Sequence, residues 1–320
     1  MEKLRAGGRA GFRIFLGIEA GNGFLQKIVS HLEIFKWRQA SSVKDADLVL
    51  EFSDISCLDE KTLRLPVMDG NISIWGPWHY KYPDNSKIIA SWGLKNPSRA
   101  VIDIDKKSIR FFISPYHWDK PDLVPIRFIK GAIYLLLLYS DVYSFHSSCL
   151  ADGRDNAYMF IAPSGQGKST VLRNLLKEGF SWIADDQVFL KSAGSRIWAF
   201  SIFNQVGRNN DINLVRELGK ASCMSSGAFL KSVVVLSVVP GEKTRISPLS
   251  GEEVQDIFRR SRKFFNSTYL ESDHDYLREL YERWSGALRR SCAFFRMECG
   301  EDVKDDPALL REILGKAAVL

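Results

Sequence analysis

The stretch Ala162-Pro163-Ser164-Gly165-Gln166-Gly167-Lys168-Ser169, followed by Thr170, holds the residues best suited to chemistry. Gly165 and Gly167 free the backbone to turn successive N–H groups inward on an anion. Lys168 reaches the outer phosphates of a nucleoside triphosphate, and the Ser169 hydroxyl suits Mg²⁺. Ser164, Gln166 and Thr170 complete the expected phosphate contacts. The pattern is that of a P-loop, with Ala162 where the first glycine usually stands.

A second acidic element lies just downstream. Asp185-Asp186 closes the apolar run at residues 180–184. One carboxylate there can bind Mg²⁺ and the other can take the proton of an attacking hydroxyl. Motor, transporter and GTPase types usually carry their metal aspartate on a later strand, whereas several small kinases have acidic residues directly after the P-loop helix. A strand-end turn that merely uses aspartate is the structural alternative. His146, in Phe145-His146-Ser147-Ser148, precedes the apolar run. On spacing alone a lone histidine is more often a structural residue than a catalytic one.

These residues need a particular scaffold. The apolar run at 157–161 predicts a buried strand leading into the loop, and residues 168–177 predict the helix leading out, whose N-terminus adds its dipole to the anion site. Gly179 ends that helix, and a short strand follows. Strand, helix and strand joined by short loops should bring Asp185 and Asp186 to the same sheet edge as the loop. Residues 144–150 predict another strand, with a turn at residues 152–156.

Upstream, the pattern predicts a strand-rich α+β domain over residues 1–120. Strands are expected at 12–18, 47–52, 72–75, 87–92, 101–105 and 109–113, with a helix at 23–34. Asp105-Lys106-Lys107-Ser108 should close a hairpin. Trp75, Trp78 and Trp92 read as packing residues of this domain. Three prolines in residues 115–125 mark a boundary, and a helix is expected at 123–139. Residues 121–320 then form the catalytic domain with C-terminal helices.

Composition narrows the class. In 320 residues, 44 Lys and Arg against 38 Asp and Glu leave a net charge of +6, a small excess. The basic runs Arg259-Arg260-Ser261-Arg262-Lys263 and Arg289-Arg290 read as solvated helix faces, not as a nucleic-acid surface. Five cysteines without a C-x-x-C pair fit neither a disulfide framework nor zinc, and point to reduced thiols in the cytoplasm. No secretory signal pattern is present, and the longest apolar run, 132–139, is too short to span a bilayer.

In their order, Phe145-His146-Ser147-Ser148, the Gly/Asp turn, the apolar strand, the P-loop, its helix and the paired aspartates resemble the HPr kinase/phosphorylase family. The close resemblance covers residues 144–190, and residues 229–265 follow the family layout loosely. It implies a P-loop kinase domain related to phosphoenolpyruvate carboxykinase, using ATP (or another nucleoside triphosphate) and Mg²⁺. It also implies roles: Asp185 as base towards a substrate serine, Asp186 assisting Mg²⁺, and His146 supporting the catalytic aspartate. The nearest piece to the family's Arg-Gly-x-Gly element is residues 205–211, where Arg208 is the candidate phosphate contact and Asp211 the candidate metal assistant. By overall layout the chain is most like the lasso-peptide precursor kinases, which phosphorylate a C-terminal serine.

Three readings follow. The first is a kinase acting on a serine of a peptide or protein, cytoplasmic, without nucleic acid or membrane as partner. The second is a small-molecule hydroxyl kinase, and the third a nucleotide-binding regulatory protein without transfer activity. A homo-oligomer is left open.

Overall fold

Two ladders of strands organise the chain. The computed structural model describes residues 3–9, 12–18, 38–39, 48–54, 78–81, 86–92, 98–114, 124–163, 166–185, 187–202, 227–266 and 274–317. The expected helix at 23–34 and strand at 72–75 lie outside them. The chain divides into one unit of Met1–Val142 with Phe265–His274 and a second of Tyr143–Phe264 with Asp275–Leu320.

The first unit is built on a mixed sheet. Its strands are β1 (Lys3–Arg9), β2 (Phe12–Ile18), β3 (Arg38–Gln39), β4 (Leu48–Asp54), β5 (Trp78–Lys81), β6 (Lys87–Trp92), β7 (Ser98–Asp103) and β8 (Ser108–Ile113). They lie in the order β3-β1-β2-β4-β8-β7-β6-β5, with β4 parallel to both β2 and β8. The expected hairpin joins β7 to β8, and Asp103 Oδ1 accepts from the Lys106 N–H at 3.0 Å inside it. Alternation along β4 and β8 sends Leu48, Leu50, Phe52, Ile109 and Phe111 into the core. Helix α1 (Val124–Tyr139) caps this core, and Phe128 meets Phe111 edge-on with ring centroids 5.8 Å apart.

The second unit carries the remaining strands: β9 (Val142–Phe145), β10 (Ser148–Ala151), β11 (Asn156–Ile161), β12 (Ser181–Ala184), β13 (Val188–Ala193), β14 (Arg196–Phe200), β15 (Ala228–Val238), β16 (Arg245–Pro248) and β17 (Ala293–Cys299). Helices α2 (Lys168–Lys177), α3 (Gly251–Asn266), α4 (His274–Ser291), α5 (Asp302–Asp305) and α6 (Pro307–Ala317) complete it. The sheet runs β12-β10-β11-β15-β14-β13-β9, and β17 joins β15 further along with β16 on its outer side. Central β11 and the middle of β15 bury apolar side chains on both faces, as strands covered on both sides do.

Helix α2 buries Val171, Leu172 and Leu175 on one face, and the Asn174 side-chain amide donates to the Val303 carbonyl. It ends at Gly179, where the Phe180 N–H bonds the Leu175 carbonyl at 3.1 Å. Phe258 of α3, Tyr281 and Trp284 of α4, Tyr143 and Phe145 of β9, and Phe294 of β17 pack as one aromatic cluster. Residues 144–150, expected as one strand, are two: β9 and β10 meet at a bend at His146 and Ser147. Among the described residues no helix is long and apolar enough to cross a membrane.

Candidate active site

Strand direction brings the candidate residues together. β10 runs antiparallel to both β11 and β12 and lies between them, so β11 and β12 point the same way. β15 is parallel to β11 on its other side. The C-terminal ends of β11, β12 and β15 and the start of β10 therefore share one sheet edge. Ligands of open α/β sheets bind at such an edge.

From β11 the chain enters the loop at residues 162–167. Ala162 is buried, Pro163 is exposed, and the Gln166 N–H closes back on the Pro163 carbonyl at 3.3 Å. Gly167 takes φ 79, a left-handed conformation that glycine adopts without strain, and passes the chain into α2. A β-carbon there would touch Val238 Cγ2 at 3.4 Å. The Gln166 side chain accepts from the Val238 N–H at 3.2 Å, which ties the loop to the end of β15. Val238 is 44% exposed at this lip.

No side chain caps the N-terminus of α2, and no acidic residue stands in its first turn. Lys168 occupies that turn instead and curls back, donating from Nζ to the Ala162 carbonyl at 2.5 Å and the Pro163 carbonyl at 3.3 Å. A lysine at a helix N-terminus adds a full positive charge to the positive end of the dipole, an arrangement that an anion relieves. Ser169 and Thr170 are exposed in the same turn. Ser164 and Gly165 lie outside the described residues.

Asp185 stands at the end of β12, only 8% exposed. It is held from β10, because Ser148 Oγ donates to Asp185 Oδ1 at 2.5 Å. A bulge makes this meeting. Cys149 pairs with Ala184 but Leu150 with Trp182, so β12 carries one extra residue. Continuing the register past Cys149 and Ala184 sets Asp185 opposite Ser148, whereas the register below the bulge would have set it opposite Ser147. Ser148 closes the Phe145-His146-Ser147-Ser148 run, but the sequence does not show which of the two serines meets a carboxylate.

His146 is exposed in the bend two positions before Ser148, at the same edge. The structure thus brings Gln166, Gly167, Lys168, Ser169, Thr170, Asp185 and His146 to one end of the sheet. Asp186, Arg208 and Asp211 lie outside the described residues. Among the described residues, no group of three or more His, Cys, Asp or Glu side chains could hold a metal ion by itself. Mg²⁺ at this edge would be shared with a phosphate ligand, for which the Ser169 hydroxyl is the described donor.

Beside the loop, the chain between β15 and β16 is fastened to the turn after β17. Asp302 accepts from the Thr244 N–H at 3.0 Å and from its hydroxyl at 2.5 Å, and the Gly300 N–H bonds Thr244 Oγ1 at 2.9 Å. The Thr244 hydroxyl and N–H hold the Asp302 carboxyl below the usual carboxylate range.

No family model matches the chain, and no curated protein matches it. Among solved structures it is similar to the Hpr(Ser) kinase/phosphatase from Coxiella burnetii, with a TM-score of 0.32 and 11% identity. That likeness covers 55% of this chain and 97% of the other.

Proposed function

We propose that the chain is a kinase that moves the γ-phosphoryl group of ATP, or of another nucleoside triphosphate, to a hydroxyl. The acceptor in this reading is a serine of a peptide, and the C-terminal serine of a lasso-peptide precursor is its most specific form. One observation carries the proposal: an uncapped, lysine-bearing helix start and the buried, oriented carboxylate of Asp185 share one sheet edge.

The chain's own groups divide the work. In this reading N–H groups at the α2 N-terminus hold the phosphates, and Lys168 exchanges its loop carbonyls for phosphate oxygens. Ser169, with Asp186, would hold Mg²⁺, which when bound offsets charge on the phosphates. In this reading an acceptor hydroxyl approaches Asp185. As the hydroxyl oxygen bonds the γ-phosphorus, the bond to the leaving diphosphate oxygen breaks. Asp185 takes the hydroxyl proton. Lys168 stays with the charge that collects on the transferring group.

Labelled ATP and Mg²⁺ offered with precursor peptides ending in serine test the reading. Label on the terminal serine, lost by about 1000-fold in Asp185→Asn while ATP still binds, is the expected result. An Asp185→Asn chain of full activity sinks the reading. Tight ATP binding with no acceptor labelled would turn it towards a regulatory nucleotide sensor.

A further inference from the structure

Ser148 has no place in the scheme above, yet it makes the hydrogen bond that holds the proposed base. We infer that Ser148 is a positioning residue, whose hydroxyl fixes the Asp185 carboxylate in the orientation that accepts the acceptor proton. The inference rests on the kinase reading and deepens it.

Three features carry it. Ser148 is fully buried, so its hydroxyl is not competing with water for a partner. Its bond to Asp185 Oδ1, at 2.5 Å, has the shortness of a hydroxyl donating to a carboxylate. The register is arranged for this contact, because the bulge in β12 moves Asp185 from opposite Ser147 to opposite Ser148. Neighbouring Ser147 is equally buried but turns its hydroxyl to the Phe145 carbonyl, a contact that serves only the bend.

The hydroxyl acts on Asp185 in two ways. It locks the carboxylate's rotation about its last bond, so that one oxygen is committed to the protein. It also supplies, inside the sheet, a hydrogen bond that buried negative charge would otherwise lose. Neither effect touches the nucleotide. The inference therefore separates turnover from nucleotide binding.

The experiment uses the full chain with Mg·ATP and follows phosphate release to water, and label transfer to a serine-ended precursor peptide. Ser148→Ala is expected to lower kcat about 10- to 100-fold, the worth of one hydrogen bond to a charged group, with KM for ATP within about twofold of the parent. Ser148→Thr, which keeps the hydroxyl, should recover most of the rate. Adding Ser148→Ala to Asp185→Asn should cost nothing further, because a residue that acts only through Asp185 has nothing left to position. A purely structural role would instead give additive losses and a changed melting temperature. Full activity in Ser148→Ala beside a dead Asp185→Asn overturns the inference and leaves the kinase reading standing. If Asp185→Asn is also fully active, the kinase reading falls first, and the inference with it.

Discussion

The turn at residues 152–156 and the loop at residues 162–167 bracket the same strand, β11, and differ in where their polar groups find partners. In the turn, Asp152 Oδ1 accepts from the N–H groups of Arg154 at 2.8 Å and Asn156 at 3.0 Å. Its Oδ2 accepts from the Asn156 amide at 2.9 Å and the Tyr158 hydroxyl at 3.3 Å. Every partner lies within six residues, and the carboxylate has its donors. At the loop edge, local bonds from the Gln166 N–H and Lys168 to the Ala162 and Pro163 carbonyls are joined by long-range ones: Gln166 accepts from Val238 and Asp185 from Ser148. The helix's first turn there holds a lysine and no acidic residue. Local closure builds a scaffold, and long-range ties shape the other end.

The largest expected effect on this contrast comes from Lys168→Ala. Phosphoryl transfer should fall by about 100-fold or more, since the charge on the transferring group loses its nearest cation. The fold should lose little, about 1–3 kcal/mol, for the hydrogen bonds that Lys168 makes to the loop carbonyls. Steady-state rates and a thermal melt measure both, and a strongly destabilised variant would mean that Lys168 is structural.

The scaffold end answers to a different substitution. Gly227 takes φ 147, and a β-carbon there would lie 2.6 Å from Trp198 Nε1 and 2.7 Å from the Ala199 carbonyl. Gly227→Ala should cost about 2–4 kcal/mol and lower the melting temperature by several degrees, with KM for ATP unchanged. A large rise in KM without loss of stability would erase the distinction between the two ends.

Gln166→Ala is a finer probe. Removing the acceptor of the Val238 N–H should loosen the loop and raise KM for ATP a few-fold, with little change in melting. Titration calorimetry with ATP would detect it, and unaltered binding would show that β15 does not set the loop's shape.

The smallest effect concerns acid. Burial pushes the Asp152 carboxyl up, but hydrogen bonds from Asn156, Arg154 and Tyr158 together hold it below the usual carboxylate value. Its folded pKa is thus depressed. The stability it contributes is complete above the unfolded value of about 3.9 and is lost as pH falls through the folded one. Asp152→Asn should flatten this part of the acid limb in denaturation between about pH 5 and 2. An unchanged acid limb would show that the turn's charge contributes nothing.

Elements with a clear local rhythm were legible. The strand at residues 12–18, the β7–β8 hairpin, α1, β11 and α2 follow their apolar spacing and turn residues to within a few positions. The shared edge of the loop and Asp185 was expected as well, but the insertion of antiparallel β10 between β11 and β12 was not. The bend at His146 escaped because neither Gly nor Pro marks it. β16 and β17 were hidden because β16 is an exposed edge strand and β17 follows a basic helix directly. Ser148 was out of reach for a deeper reason: its role depends on a bulge in another strand, 37 residues away, and strand pairing leaves no trace in local composition.

The branching of β15 has a consequence for how the chain is made. Its start pairs with β14 at Phe229 and Ala228, and its longer remainder, from Ser232 to Val238, pairs with β17. Of the described strands, β17 is the last to leave the ribosome. Until residues 293–299 emerge, the Val-Val-Val-Leu stretch of β15 presents a bare, apolar edge. Such an edge recruits strands from other chains. Chains stalled or cut before residue 293 should therefore aggregate, where chains that include β17 cover this edge.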